Sequence, residues 1–233
     1  MKHAKIVPVF KTGDKFDVVN YRPISLLLVL SKILEKLMHY RLMSFLSKHN
    51  SPSEIQYGFR ERHSTYMAWL NIIDQISQEM DNKKFSVSIF LHLSKAFYTI
   101  DHGILMRKLE IYGIRGNALR WLSSYLSNRT KCVCIGDILC KPGKIVCGVP
   151  QGSVLGPLLF ILYINDLVNV ATIFKLIMFV DDTNAFASHK NFDQLISIVQ
   201  SELNKVVTWL KINKLSLNAK KTHFIIFHNR KKN

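Results

Sequence analysis

The sequence has no apolar run long enough to cross a bilayer. Its longest apolar stretches are Leu26–Leu30 and Val154–Ile164, and the second contains Gly156 and Pro157. A membrane-spanning helix needs ~20 predominantly apolar residues. We therefore predict that this is not a membrane protein. With 48% hydrophobic and 21% charged residues, the 233-residue chain instead has the composition of a globular protein with a core.

Cysteine is also scarce. The four cysteines stand at positions 132, 134, 140 and 147. Their spacing lacks the C-x-x-C pairs that are typical of zinc sites. No secretory signal is visible ahead of them, so a disulfide framework is not expected either. We predict that all four are reduced structural thiols.

Acidic residues are few relative to basic ones. The chain has 16 Asp and Glu against 32 Lys and Arg, which gives a formal net charge of +16. A surplus of this size favours contact with phosphate backbones. A basic surface kept for solubility, or a membrane-surface protein, would have the same balance. The charges, however, are spread along the chain rather than gathered on one amphipathic helix, which favours nucleic acid as the partner.

Hydrophobic periodicity predicts an α+β fold, in which helices precede a small antiparallel sheet with helices on one face. Helical spacing predicts a first helix within 24–47 and a second that Ser64 or Thr65 caps. The apolar residues that give the first helix its spacing are Leu27, Leu30, Ile33, Leu34, Leu37, Met38 and Leu42. The side chains expected on the buried stripe of the second helix are Met67, Leu70, Ile73, Ile76 and Met80. Alternating apolar residues predict a strand at Phe85–His92.

The remaining pattern predicts shorter elements. The sequence indicates a strand from Pro8 that runs into a turn ending at Asp14, helices around 104–109 and 117–126, short strands at Cys132–Ile135 and Lys144–Cys147, a hairpin of Phe174–Val180 and Thr183–Ala187, a helix over about 191–213, and a strand at Thr222–Phe227.

Two adjacent carboxylates, Asp181 and Asp182, stand at the turn of the predicted hairpin. Like charges this close repel each other, and burial adds to the cost of ionising them unless a cation neutralises the pair. A tight turn can bring both carboxylates towards one divalent ion, and hard carboxylate oxygens suit Mg²⁺. A solvated Asp-Asp turn is the alternative interpretation.

A loop rich in glycine and proline, Gly148–Pro157, leads into an apolar helix. Such a loop allows the main chain and the amide side chain of Gln151 to approach a nucleotide or a template base closely. An ordinary helix-entry loop is the alternative interpretation.

Six motifs, in one order along essentially the whole chain, resemble those of the reverse transcriptases of non-LTR (LINE-type) retrotransposons, particularly the jockey-like group. The motifs are Asn20–Ser25, Gln56–Arg60 with Ser64 and Thr65, Leu93–Phe97 with Asp101 and His102, Gly148–Phe160 with Tyr163–Asp166, Phe179–Thr183, and Trp209 with Asn213–Asn218, Lys221 and Thr222. The resemblance implies an RNA-directed DNA polymerase, which is a nucleotidyltransferase that works by two-metal nucleotidyl transfer.

The implied fold is the fingers and palm of a right-hand polymerase, with an antiparallel palm sheet backed by helices. We expect residues 1–233 to form a single reverse transcriptase domain. Residues from about 1 to 84 would be mostly fingers, and residues from about 85 to 233 would be mostly palm with a fingers insertion. The sequence is expected to contain neither a thumb nor an endonuclease domain.

The resemblance also implies roles for particular residues in nucleotide binding. Arg22 would lie over the incoming triphosphate, a role that guanidinium geometry suits. Phe97 would be the aromatic gate that crowds a ribose 2′-hydroxyl, and Gln151 would contact the nucleotide. The structural alternatives are an ion pair for Arg22 and a core position for Phe97.

The resemblance likewise implies that Asp181 and Asp182 are the ligands of two Mg²⁺ ions. It implies that Lys221 donates a proton to the leaving pyrophosphate; the structural alternative for Lys221 is a solvated surface lysine. The implied partners are an RNA template, a DNA primer and deoxynucleoside triphosphates. The family resemblance alone suggests a nuclear location.

The chain departs from the family pattern at two positions. His92 stands where the family has an aspartate, and Tyr98 stands where a second aspartate is expected. An imidazole has no negative charge and serves Mg²⁺ poorly as a bridging ligand. We therefore expect this copy to be catalytically inactive. The alternatives are a non-catalytic, basic nucleic-acid-binding remnant of the element, or a relic with no function.

Overall fold

A computed structural model describes residues 2–49, 51–60 and 62–229. Strands that are far apart in sequence pair to form the sheets of this structure. The mixture of helices and sheets confirms the α+β prediction. The chain divides into two compact units. Unit 1 comprises Met1–Asn50 and Phe97–Tyr163, and unit 2 comprises Ser51–Ala96 and Ile164–Asn233. No helix among the described residues is both long and apolar enough to cross a membrane.

Unit 1 contains a five-stranded sheet. Its strands are β1 (His3–Phe10), β2 (Tyr21–Leu26), β4 (Arg129–Ile135), β5 (Ile138–Leu139) and β6 (Gly143–Ile145). The order is β2-β1-β4-β5, and β6 also pairs with β4. The β1–β2 pair is antiparallel, whereas β1 runs parallel to β4, from His3 opposite Thr130 to Ile6 opposite Val133.

The helices of unit 1 include one strongly apolar segment. They are α1 (Val29–Lys48), α3 (Ala96–Thr99, which starts one residue before the unit boundary), α4 (His102–Ile111), α5 (Gly116–Leu126) and α6 (Leu155–Ile164, which ends one residue beyond it). Every residue of α6 except Pro157 is buried. A helix that is apolar on all sides belongs in a protein interior.

Unit 2 contains the antiparallel sheet that the sequence predicted. Its elements are α2 (Thr65–Asp81), β3 (Phe85–His92), β7 (Lys175–Phe179), β8 (Asp182–His189), α7 (Phe192–Ile212) and β9 (His223–Phe227). The strand order is β7-β8-β3-β9. Helix α2 contacts β3 and β7, and α7 contacts β3 and β8. The Ser64 hydroxyl caps α2 by accepting from the Met67 amide, as predicted.

Most of the apolar residues at helical spacing in α1 do not face the core, although Leu42 does. Leu30, Ile33, Leu34 and Leu37 are exposed, whereas the helix buries Ser31, Glu35, Leu42 and Leu46. A polar contact explains this orientation of α1, because the Glu35 carboxylate accepts hydrogen bonds from main-chain amides at the start of α6. That contact requires the helix to turn its Glu35 face inward.

The predicted buried stripe of α2 is wrong at several positions. The helix buries Ala68, Ile72 and Glu79, while Met67, Leu70 and Ile73 are exposed and Ile76 and Met80 are half-buried. Glu79 is buried because Lys84 lies 2.6 Å from its carboxylate and Lys175 lies 3.9 Å from it. A buried charge with cationic partners replaces part of the apolar stripe that periodicity predicts.

The first elements also start at different residues from those predicted. The first strand is His3–Phe10 rather than one starting at Pro8, and the helix begins at Val29 because Tyr21–Leu26 pairs with β1 as a strand. Pairing with a neighbouring strand overrides the local helical spacing in this segment.

Candidate active site

The two aspartates stand at the tight turn between β7 and β8. Strand β7 ends at Phe179, and Asp182 is the first residue of β8. Between them Val180 adopts a left-handed backbone conformation with φ of +59°. The Asp181 carbonyl accepts a hydrogen bond from the Leu93 amide at 3.4 Å. The turn therefore lies beside the end of β3.

His92 lies directly opposite Asp182 in the sheet. The two residues are register partners at the end of the β3–β8 ladder. The His92 carbonyl accepts from the Asn218 amide at 2.8 Å, and its buried Nδ1 has no hydrogen-bond partner among the described residues. The structure therefore places His92 opposite Asp182, the second aspartate of the turn.

Burial raises the pKa of the Asp182 carboxyl above its ordinary value, and the negative charge of Asp181 adds to the rise. The charges of His92 and Lys221 oppose it by favouring the ionised form. Lys221 is exposed, and its main-chain amide donates to the Asn218 carbonyl within a turn. The positive charge of Lys221 therefore favours the ionised form of Asp182.

The donor set does not fit a pair of Mg²⁺ ions. Asp181 and Asp182 supply hard oxygen ligands, but the position opposite Asp182, where a third carboxylate is expected, holds the imidazole of His92. Within residues 2–49, 51–60 and 62–229, no three His, Cys, Asp or Glu side chains come close enough to hold a metal ion.

The Gly148–Gly152 loop, in unit 1, is held against the α3 segment by main-chain hydrogen bonds. The Gly148 amide donates to the Ile100 carbonyl at 2.7 Å, and the Val149 amide donates to the Phe97 carbonyl at 2.8 Å. His102 Nε2 donates to the Gly148 carbonyl at 2.8 Å. The loop is thus fixed along its first half.

Glycine is required at both ends of this loop. Gly148 has φ of +80°, and a Cβ there would lie 2.7 Å from the Tyr98 carbonyl oxygen. Gly152 has φ of +104°, and a Cβ there would lie 2.9 Å from the Ser25 carbonyl oxygen. Side chains at these positions would be strained and would also separate the loop from its neighbours.

The start of α6 is already occupied by a carboxylate. Glu35 accepts from the Val154 amide at 2.7 Å and from the Leu155 amide at 3.2 Å, while Ser153 Oγ accepts from the Gly156 amide at 3.0 Å. These are the groups that a helix N-terminus would otherwise offer to an anion. The main chain here is therefore unavailable to a phosphate, which removes one basis for the predicted nucleotide contact.

The predicted nucleotide-contacting side chains all lie in unit 1. Arg22 is exposed on β2, and Gln151 is half-buried. The Gln151 carbonyl accepts from the Ser25 amide at 2.8 Å, which ties the loop to the strand that carries Arg22. Phe97 is half-buried and stacks on Phe160, with ring centroids 4.8 Å apart.

Tyr98 connects these segments through its side chain. Its hydroxyl contacts the Gln151 side-chain oxygen and also lies 3.2 Å from the Pro23 carbonyl oxygen. Burial raises the pKa of the Tyr98 hydroxyl, which keeps it protonated and able to donate. One hydroxyl hydrogen serves one acceptor well, so a Gln151 amide turned with its nitrogen towards Tyr98 would satisfy both contacts.

Gln56 contacts the aspartate turn, but the sequence did not indicate a role for it. Gln56 belongs to a recognised motif but had no role assigned to it. It is fully buried, and its side-chain oxygen accepts from the Val180 amide across 124 residues of sequence. No periodicity or local spacing signals such a contact.

Comparison with known proteins agrees with this architecture. The reverse transcriptase (RNA-dependent DNA polymerase) family profile matches residues 11–232. The chain is 29% identical, over 98% of its length, to the RNA-directed DNA polymerase from mobile element jockey of Drosophila melanogaster. It is 31% identical, over 95% of its length, to the probable RNA-directed DNA polymerase from transposon BS of the same species. It spans 26% and 25% of these two relatives, respectively.

Solved structures share the fold. An apo telomerase from Candida tropicalis, truncated from its C-terminal domain, superposes with a TM-score of 0.70 over all of this chain and 51% of that protein, at 15% sequence identity. Telomerase from Candida albicans, solved with a fragment of telomeric RNA, gives a TM-score of 0.62, covering 97% of this chain and 43% of that protein, at 16% identity. The chain therefore belongs to the reverse transcriptase family, as a domain of the non-LTR retrotransposon type with a polymerase fingers and palm fold.

Proposed function

We propose that this domain keeps the scaffold of an RNA-directed DNA polymerase but that His92 silences its nucleotidyl transfer. The observation that carries the proposal is the register of β3 and β8, which sets His92 directly opposite Asp182. Family members generally use divalent metal ions. We infer that this copy binds the expected two Mg²⁺ ions only weakly.

The charge and the type of ligand at position 92 explain the expected loss of activity. Two-metal phosphoryl transfer needs a carboxylate that bridges both ions, opposite the Asp-Asp turn. The imidazole of His92 supplies one nitrogen and no negative charge, which leaves Asp181 and Asp182 as the carboxylates of the turn among the described residues. Each 1.36 kcal/mol of lost transition-state stabilisation costs about tenfold in rate. Loss of several kcal/mol would abolish useful activity.

The substrates follow from the other predicted residues. Arg22, Phe97 and Gln151 would contact a deoxynucleoside triphosphate, and Lys221 would protonate the leaving pyrophosphate. The exposure of Arg22 and the net charge of +16 support contact with phosphates, including those of an RNA template and a DNA primer. Residues from about 1 to 84 would act mostly as fingers and those from about 85 to 233 mostly as palm.

A primer-extension assay tests the proposal. The chain and its His92→Asp/Tyr98→Asp double variant would be assayed on poly(rA)/oligo(dT), first with Mg²⁺ and then with Mn²⁺. We expect extension only by the double variant. His228→Asp is the matched control, because it makes the same change at an exposed position. It should remain inactive.

Extension by the unmodified chain at a rate near that of the double variant would contradict the silencing. If neither protein extends the primer, binding to a labelled RNA–DNA hybrid decides the alternative function. Tight, salt-dependent binding without extension would identify a non-catalytic nucleic-acid-binding remnant, which the charge of +16 favours.

A further inference from the structure

The Gln56 side chain connects two segments that are far apart in sequence. It has no exposed surface. Its Oε1 accepts from the Gly58 amide at 2.8 Å and from the Val180 amide at 3.1 Å. Its Nε2 has no hydrogen-bond partner among the described residues. A buried amide that leaves its nitrogen unpaired is retained here for the two bonds made by its oxygen.

The main chain around Gln56 pairs with the end of β7. The Tyr57 amide donates to the Met178 carbonyl at 2.8 Å, and the Met178 amide donates to the Ile55 carbonyl at 2.8 Å. Together they form a parallel bridge between Gln56 and Met178. The bond from the Val180 amide extends this pairing past the last ladder residue of β7, Phe179.

Val180 needs such support because its conformation is unfavourable. A β-branched residue with φ of +59° is a rare outlier. Strained residues of this kind persist only where their surroundings hold them in place. The buried amide of Val180 lies beyond the β7–β8 ladder, so Gln56 supplies its acceptor.

Gly58 permits the close approach on which this contact depends. A Cβ at Gly58 would lie 2.4 Å from Val180 Cγ2 and 2.7 Å from the Val180 nitrogen. Any larger residue would therefore push the Gln56–Gly58 segment away from the turn. The Gln56–Gly58 segment and the Val180 turn are therefore closely packed against each other, and Gln56 also accepts a hydrogen bond from the Val180 amide.

We infer that Gln56 is a positioning residue for the Asp181–Asp182 turn. By holding the amide of Val180, it fixes the left-handed residue from which the chain enters the two aspartates. Its effect on polymerisation rests on the proposed function of the turn, whereas its effect on turn geometry does not.

The first test measures the turn directly. Gln56→Met keeps the length of the side chain and removes its oxygen. We expect the hydrogen-exchange protection factor of the Val180 amide, followed by NMR, to fall about tenfold or more, because the amide loses its acceptor. Gln78→Met, the same change on the exposed surface of α2, should leave it unchanged. Unchanged protection of Val180 in a folded Gln56→Met protein would overturn the inference.

A second variant separates positioning from a general role in packing. Val180→Gly removes the conformational strain, because glycine adopts positive φ without steric cost. In that background Gln56→Met should change the line width and shift of the Asp181 and Asp182 amides much less than in the natural chain. Equal changes in both backgrounds would mean that Gln56 supports the core generally, and the inference would be lost. If Gln56→Met does not fold, Gln56→Asn, whose oxygen cannot reach as far, replaces it in both tests.

The catalytic consequence is measured in the His92→Asp/Tyr98→Asp background. Adding Gln56→Met should lower kcat about tenfold while KM for the deoxynucleoside triphosphate stays within about twofold, because misplaced carboxylates affect the chemical step. Adding Val180→Gly should restore most of the loss. An inactive parent in this background would count against the proposed function, and the exchange result would still decide the role of Gln56.

Discussion

The Gly148–Gly152 loop and the Val180 turn both require left-handed backbone, and they achieve it by different means. The loop places glycine at the two positions with φ of +80° and +104°. The turn places a β-branched valine at φ of +59° and holds its amide with the distant Gln56. In the loop the required conformation is inherent in the local residue, whereas in the turn a long-range contact imposes it.

This difference determines what each segment depends on. The loop should tolerate changes in its surroundings but not at its glycines, because no other residue adopts positive φ so readily and leaves so much room. The turn should tolerate glycine at position 180 but not the loss of its neighbours, because its strain is offset only by their contacts.

Gly148→Ala should have the largest effect on stability. The new Cβ would lie 2.7 Å from the Tyr98 carbonyl oxygen and 2.8 Å from that of Phe97, at a φ that strains alanine. We expect the free energy of unfolding, measured by urea denaturation, to fall by about 3 kcal/mol.

Gly136→Ala is the control for conformation without crowding. Gly136 has φ of +58° and nothing within 4 Å of the position of a Cβ. Its loss should be about 1 kcal/mol. Equal losses at Gly136 and Gly148 would show that the close approach to the α3 segment contributes nothing.

Gly58→Ala should destabilise the protein by about 2 kcal/mol through crowding alone, because its Cβ would lie 2.4 Å from Val180 Cγ2. Combining it with Val180→Gly removes the atom that is most crowded. Thermal or urea denaturation of the two single variants and the double variant should therefore give a sum of single effects larger than the double effect. Strict additivity would contradict the fit between Gly58 and Val180.

Glu35→Gln should cost about 1 kcal/mol of unfolding free energy. The amide keeps one acceptor oxygen for the Val154 and Leu155 amides but removes the charge that favours a helix N-terminus. Glu110→Gln, at an exposed position on α4, is the control and should change stability by less than about 0.5 kcal/mol. A similar response at both sites would mean that the charge of Glu35 does not support the start of α6.

Asp182→Asn should have the smallest effect, visible as a change in pH dependence. Because the pKa of Asp182 is raised, the folded protein binds its proton more tightly than the unfolded chain does. The contribution of Asp182 to stability is therefore present below its ordinary pKa of 3.8 and is lost as the pH rises through the raised value.

Urea denaturation of both proteins at a series of pH values tests this sign. The stability of Asp182→Asn relative to the natural chain should increase with pH across that window and then level off. Because Asp182 is solvent-accessible, the change should be small and should shrink further in salt. A relative stability that falls with rising pH would reverse the assignment.

Sequence reasoning succeeded where the determining contacts are local. Strict alternation at Phe85–His92 and the paired aspartates after an apolar segment predicted β3 and the β7–β8 hairpin, and the structure confirms both. The Gly148–Gly152 loop was predicted from its glycine and proline content for the same reason. The catalytic and binding roles of Asp181, Asp182, Arg22, Phe97, Gln151 and Lys221 stay predictions.

It failed where a distant partner decides the outcome. Periodicity could not show that α1 buries Glu35 instead of Leu34, because the amides that Glu35 satisfies lie about 120 residues further along the chain. The last three residues of strand β2 were assigned to the first helix because its partner strand β1 was placed too late in the sequence. Gln56 had no role for the same reason.

The sheet of unit 1 has a consequence for how the protein is made. Strand β1 pairs with β4, and His3 and Thr130 are 127 residues apart. At translation rates of 5–20 residues per second, β1 would wait roughly 6 to 25 s for β4 to be synthesised. Strand β3 likewise waits for β9. Both sheets therefore close late, and the nascent chain would carry unpaired strand edges that favour chaperone binding over independent folding during synthesis.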